Sequence, residues 1–361
     1  MIPVLYEKNV RDFGYNNGLG SLPDWISIEV VEERNGEFYL QGELPADGVH
    51  VDKLAIDRII YAAAAPGELP QPFRILRLNK PEGSDTVEIM APHVSYQLTQ
   101  TMILPVQVDQ GNPPSFRYCE DAMDYLFDKS VPSMEGIFFE QSDIEASSAK
   151  PVNFSEAVTL RSALFGAEGS LVDLFGGEMR WEHWIVRILA SRGTNSGKVI
   201  RYGQNMSSIS FDTDATNLVT AYMGYVSLPD VTVPGNIVYV TGYNSFAYPR
   251  VEVMDLTEQF SDSGYVPTSA QIEAATEAAV ADKLGAVNLR TSIVVEAVPD
   301  TLQDLKLCDT VTVLHPGYNL QQSAKIVKTV FDPIKEKYTS LTIGEIRKSI
   351  ADTLREMLLK E

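Results

Sequence analysis

The segment "DWISIEVVEERNGEFYLQGELP", residues 24–45, constrains this chain more than any other stretch. Two runs of alternating apolar and polar residues flank Asn35-Gly36. Asn-Gly supplies the positive φ angles of a tight hairpin turn, and that turn twists in the same sense as the strands it joins. A chain that opens this way commits its first core to an antiparallel sheet. "AIDRIIYAAAAP", "PFRILRLNKPEGSDTVEIMAP" and "VSYQLTQTMILPV" continue the strand pattern, with Lys80-Pro81-Glu82-Gly83 as a further turn. Several short strands joined by turns predict a small antiparallel barrel or sandwich over residues 1–105.

Near residue 113 the pattern changes. Ser115 is placed to cap a helix through "FRYCEDAMDYLFDKS", with Tyr118, Ala122, Tyr125 and Leu126 on one face. "NFSEAVTLRSALFG" and "EGSLVDLFGG" read as two short helices ending at glycines. The strands "EMRWEHWIVRILASR" and "GKVIRYGQN" follow. Residues 106–205 are therefore expected to be an inserted mixed α/β domain. Strands resume over 206–344, interrupted by "PTSAQIEAATEAAVADKLG". This reads as a helix over 269–284, capped by Thr268 or Ser269 and stopped by Gly285. The end, 345–361, reads as a helix with Ile346, Ile350, Leu354, Met357 and Leu358 on one stripe, which packs on its own core or forms a seam to a partner. The fold class is α+β, mostly β.

Chemistry finds little support. "RGTNSGKVIRYG", residues 192–203, imitates a phosphate loop, but the spacing fails. Arg192 stands where the first glycine belongs, and Val199 where a hydroxyl should hold magnesium. Strand patterns flank it on both sides, so it reads as a β-hairpin with its tip at Thr194–Gly197. Gly14, Gly18 and Gly20 precede a strand and so do not cradle phosphate. His50, His93, His183 and His315 form no metal-ligand spacing, and no serine-hydrolase elbow occurs. Cys119 and Cys308 read as buried thiols. Glu178 and Glu182 flank a strand, yet among 49 acidic residues nothing singles them out as a glycosidase pair. No catalytic, cofactor-binding or metal-ligating residue is expected, and no cofactor. A net charge of -20 argues against binding nucleic acid through its phosphates. No apolar run reaches the roughly 18 residues of a membrane span.

The ordered segments resemble a known family. "YNNGLGSLPDWISIEVVEERNGEFYLQGELP" is similar to the opening of siphophage and prophage tail-hub proteins, the N-terminal modules of tail-associated lysins. These are often labelled prophage endopeptidase tail proteins. "PFRILRL", "GGEMRWEHWIVRILASRGTNSGKVIRYGQN", "YPRVEVMDLTEQF" and the close "LKLCDTVTVLHPGYNLQQSAKIVKTVFDPIKEKYTSLTIGEIRKSIADTL" follow in the family's order. Cys308 departs from the pattern, which usually has glycine there. A glycine would permit positive φ, so the cysteine implies either a changed turn or one that never needed it.

The resemblance implies the fold of contractile-tail baseplate hubs: two tube-type β-barrels, one in 1–105 and one in 206–344, with outlying inserted domains. It implies a homotrimer at the tip of the virion tail that continues and closes the tail tube. The implied partners are the distal tail protein ring, the tail tube and the tape-measure protein. In many relatives a lytic or receptor-binding region follows the hub; none is read within these 361 residues. The family label's endopeptidase has no matching motif here. The alternative is a cell-wall hydrolase working through unmarked carboxylates. DNA would pass a hub without binding specifically, and acids in "EVVEERNGE" and "SDTVE" are expected to face the bore.

Overall fold

The computed structural model describes residues 1–80, 83–105, 113–215, 218–260, 265–281, 283–285, 290–297, 302–318 and 320–344. The terminal helix expected over 345–361 lies outside the described residues. Two compact units emerge: Met1–Ile209 with Val295–Gly344, and Ser210–Val294.

The first unit begins with β1 (Val4–Tyr6) and β2 (Gly20–Ser21), then β3 (Ser27–Glu33) and β4 (Phe38–Pro45). β3 and β4 form the hairpin read from the sequence. Val30 lies opposite Leu40 and Glu32 opposite Phe38, and Asn35 takes φ 52° in the turn. Alternation sends Ile28, Val30, Leu40 and Leu44 into the core. β5 (Ile59–Ala62) and β6 (Gln71–Arg74) join β1 and β2 in a four-stranded sheet. β7 (Arg77–Asn79) and β8 (Thr86–Pro92) extend the β3–β4 sheet, with Leu44 opposite Val87 and Leu40 opposite Ala91.

The next stretch packs onto the same core. β9 (Met102–Ile103) pairs with β13 (Val158–Thr159), and β10 (Ser115–Tyr118) with β12 (Glu145–Pro151). Helix α1 (Cys119–Lys129) starts later than expected: Ser115 lies in β10, and Tyr118 at the helix start makes no capping bond. Pairing with β12 claims residues 115–118 first. α1 buries Cys119, Ala122, Met123, Leu126 and Phe127. α2 (Leu160–Leu164) and α3 (Leu171–Phe175) are the two short helices read from the sequence, capped by Thr159 and Ser170. Gly176, at φ 74°, ends α3 in a backbone conformation that favours glycine. β11 (Phe139–Ser142) lies parallel to β15 (Ile185–Leu189), whose antiparallel partner is β14 (Glu178–Glu182).

β16 (Asn195–Arg201) corrects the hairpin reading of residues 192–203. It does not pair with β15. It runs parallel to a strand over 310–315, with Ile200 opposite Val313. The actual hairpin joins β14 to β15, turning at His183, which takes φ 54°. β17 (Met206–Asp214) then leads out of the first unit.

The second unit holds β18 (Ala221–Leu228), β19 (Val231–Pro234), β20 (Val238–Tyr239) and β21 (Val251–Asp255), a four-stranded sheet with β21 parallel to β18. α4 (Thr257–Phe260) and α5 (Ser269–Ala279) follow. A capping box between Thr268 and Gln271 starts α5. The helix ends before the expected 284, because Val280 leaves helical geometry and buries its side chain with Tyr222 and Val240. α5 sits close on β18 because Gly224 has no side chain. A Cβ there would lie 2.3 Å from Thr276 Oγ1 and 3.2 Å from Ile272 Cγ2.

The chain returns through β22 (Arg290–Ala297), β23 (Thr310–His315), β24 (Leu320–Asp332) and β25 (Lys337–Gly344). β24 pairs with β3, Val330 opposite Val31, so the two ends of the chain share one ten-stranded sheet. The architecture is mostly β with added helices. Among the described residues no sheet closes into a barrel. One continuous apolar cluster joins β1, β3–β6, β8, α1–α3, β14 and β15.

Candidate functional site

The histidines and cysteines stand apart, each with its own local role. His50 Nδ1 lies 2.9 Å from the Ser21 carbonyl. His93 is fully buried, stacks on Phe38 at 4.7 Å and accepts from Ser95 N–H through Nδ1. Burial, with the nearby Arg161 charge and His183, holds its pKa well below the usual histidine value. His183 Nε2 is 2.8 Å from the Pro70 carbonyl, and His315 packs on Tyr202. Burial pushes the Cys119 thiol up to about 11 and the Cys308 thiol up to about 12, so neither is a ready nucleophile. Among the described residues no group of three or more His, Cys, Asp and Glu side chains could hold a metal ion, and no helix is long and apolar enough to cross a membrane.

Cys308 answers the question its identity raised. It takes φ 71°, so the turn kept the left-handed conformation without the glycine. Its N–H donates to the Ile326 carbonyl at 2.9 Å, and the Asp309 carboxylate accepts from Thr194 N–H at 2.8 Å and Lys306 N–H at 2.9 Å. Gly193, at φ 80°, closes the joint: a Cβ there would lie 2.4 Å from the Cys308 carbonyl carbon. These bonds fix the parallel register of β16 on β23.

Beside this turn lies a buried ionic joint that sequence reasoning missed. Arg192, the first residue of the false phosphate loop, pairs with Glu32 of β3 at 2.8 Å and donates from Nη1 to the Met179 carbonyl at 3.2 Å. Burial works against its charge. Glu32, with smaller contributions from Cys308 and Glu68, more than offsets this and holds the Arg192 pKa above the usual arginine value. Glu178 accepts from Arg192 N–H at 2.6 Å and from Lys325 Nζ at 2.8 Å, with Arg34 at 3.6 Å. Glu182, the other acid considered, pairs instead with Arg187 at 2.6 Å. The joint ties β3, β14 and β24 together and leaves both its carboxylates occupied by cations and amides. No local motif marks it: Glu178 and Arg192 are 14 residues apart, but Lys325 lies 147 residues beyond Glu178, and Glu32 comes from the first hairpin.

Glu140 of β11 is a different case. It faces α1, where Asp124 and Glu120 add negative charge, and its Oε2 is buried without a hydrogen-bond partner. Desolvation, with these acids, raises its pKa to about 7.

The acids of "EVVEERNGE" and "SDTVE" divide. Glu32 is buried in the joint. Glu29 and Glu88 point to the outer face of the sheet, where Glu43 stands directly opposite Glu88. Gln41 Nε2 donates to Glu29 at 3.3 Å and Asn79 Nδ2 to Glu88 at 2.9 Å.

Residues 194–354 match the profile of the prophage endopeptidase tail family. No curated protein matches this chain. Solved structures with this fold include prophage tail protein gp18 from Listeria monocytogenes EGD-e, at 14% identity and a TM-score of 0.57 over 100% of both chains. The 43 kDa tail protein of prophage MuSo2 from Shewanella oneidensis gives 10% identity and 0.59 over 96% of this chain and 98% of that one. A tail protein from Neisseria meningitidis MC58 gives 10% and 0.56 over 96% of each. The likeness to prophage tail proteins read from the sequence is present in both the family match and the fold.

Proposed function

We propose that the chain is a structural protein of a phage or prophage tail, a hub at the tail tip that assembles as a homotrimer. In this reading residues 1–105 and 206–344 supply the tube-type regions, with 106–205 inserted and 345–361 following. The hub joins the distal tail ring to the proteins beyond it, continues the tail tube and meets the tape-measure protein. DNA passes without specific binding. The observation that carries the reading is a fold shared with prophage tail proteins along nearly the whole chain, together with the family match over 194–354. The sheet that unites β3 with β24 supports it, since it makes one continuous wall from both ends of the chain.

The reading assigns no peptidase activity, despite the family's name. The two thiols are held protonated, and Glu32 and Glu178 are occupied by cations and amides. The test mixes the purified chain with its distal tail ring and weighs the complex by mass photometry, with a peptidoglycan lysis assay alongside. Three copies per ring without lysis is the expected result. Lysis abolished by a single carboxylate substitution would replace this reading with the hydrolase.

A further inference from the structure

This acidic chain carries a basic cleft in its first unit. A cleft of about 700 Å³ is lined by Lys8, Arg11, Arg74, Gln97 and Trp184, with Asp57 as its one acid. Arg74 is the fixed base of this surface. Its Nη1 donates to the carbonyls of Lys8 at 3.0 Å and Asp57 at 2.8 Å, and the Gln97 amide oxygen accepts from Nε and Nη2. Lys8 makes no ion pair among the described residues, and Arg11 lies over the Trp184 ring at 5.7 Å. The same loop holds Tyr15 at 97% exposure. The loop is built: Tyr6 OH donates to the Asn16 carbonyl at 3.0 Å, Leu19 N–H to the Leu5 carbonyl at 2.7 Å, and Gly14 N–H to Asp12 Oδ1 at 2.9 Å. Arg11, which also donates to the Ile137 carbonyl at 3.5 Å, and the exposed Tyr15 are of the residue types that concentrate binding energy at interfaces, and Lys8 adds exposed positive charge beside them.

Elsewhere in the same unit lies a complementary surface. Glu43 and Glu88 face each other in register, with Glu29 one strand away, around a groove of about 430 Å³ whose nearby cation is Arg77. Like charges directly opposite one another destabilise a sheet, so this arrangement gains from a cationic neighbour. Leu76, 64% exposed, and Met90 stand beside it as apolar ground for an aromatic ring.

We infer that the loop carrying Lys8, Arg11 and Tyr15 docks on the Glu29–Glu43–Glu88 face of a second copy of this chain. The inference rests on the trimeric reading and names the contact that closes it. Copies carrying -20 each repel, and a loop-to-face contact offers local attraction that offsets the repulsion. A contact between unlike surfaces repeats head to tail, and closes as a ring where its rotation brings the third copy back onto the first.

The test reverses charge on each side: K8E with R11E on the loop, E43K with E88K on the face. Copies per complex are measured by sedimentation velocity for the chain alone and by mass photometry on the distal tail ring. Each pair alone should weaken association about tenfold or more, and Tyr15→Ala by a similar factor. The quadruple variant, with charges exchanged, should recover most of the loss. Melting temperatures should stay close to wild type, since these side chains are largely exposed. Unchanged trimers in either charge-reversed pair, or no recovery in the quadruple variant, overturn the inference and leave the hub reading standing. Intact E43K/E88K trimers that acquire DNA affinity also overturn it, and place that face in the bore. Absence of wild-type trimers in both settings removes the hub reading itself.

Discussion

The Arg192 joint and the Glu140 contact are both charged places inside the first unit, and they are built in opposite ways. At the joint every charge meets its complement. Glu32 pairs with Arg192, and Glu178 takes Lys325, Arg34 and a backbone amide. At Glu140 a carboxyl is pressed against a helix whose Asp124 and Glu120 add negative charge. Burial penalises charge in both places. The joint offsets the penalty with partners, while Glu140 lessens it by keeping its proton. A buried ion pair is weak evidence for net stability, but removing one partner leaves a stranded charge. The joint is therefore sensitive to mutation at any pH near neutrality, and the Glu140 contact to pH itself.

The largest expected effect follows from that difference. Arg192→Met strands Glu32 in the interior and should destabilise the first unit by about 3–5 kcal/mol, read by urea denaturation at pH 7. A loss under about 1 kcal/mol would mean water already reaches the joint. Gly193→Ala should come next, at about 2 kcal/mol or more, since φ 80° and the Cys308 backbone both oppose a Cβ. A wild-type melting curve for this variant would show that β16 tolerates another register on β23. Glu140→Gln should act in the opposite direction. The folded state keeps the Glu140 proton up to about pH 7, whereas the unfolded chain releases it near the ordinary value of 4.5. Stability from this group is therefore lost as pH rises between those values and stays low above them. The glutamine variant should gain about 1 kcal/mol at pH 8, after allowing for solvent screening of a half-exposed group, and almost nothing at pH 4. An equal gain at both pH values would remove the proton from the account. Glu182→Gln breaks a partly exposed pair with Arg187 and should change stability by less than about 1 kcal/mol.

Period and turn chemistry made the local elements legible. Asn35-Gly36, the cap at Thr268 and the alternation of 310–315 and 337–344 each specify an element through neighbours in sequence. Partner choice was not legible. β16 has an ordinary strand pattern, and nothing within it says that its partner is β23, more than a hundred residues on, and not β15. The buried joint was hidden for the same reason: Glu32, Glu178, Arg192 and Lys325 look like surface charges until the fold brings them together. Cys308 shows a third limit. The sequence raised positive φ as a question, and the neighbouring bonds of Asp309 and Gly193 settled it. The basic loop left a faint trace, since Lys8 and Arg11 lie close together near the start of an acidic chain.

The central claim is that three copies form a closed ring that serves assembly and not hydrolysis. Mass photometry of the chain mixed with its distal tail ring tests it most directly. The account predicts one complex carrying three copies, while the K8E/R11E variant falls to fewer. A chain that stays monomeric with the ring at every concentration would contradict it.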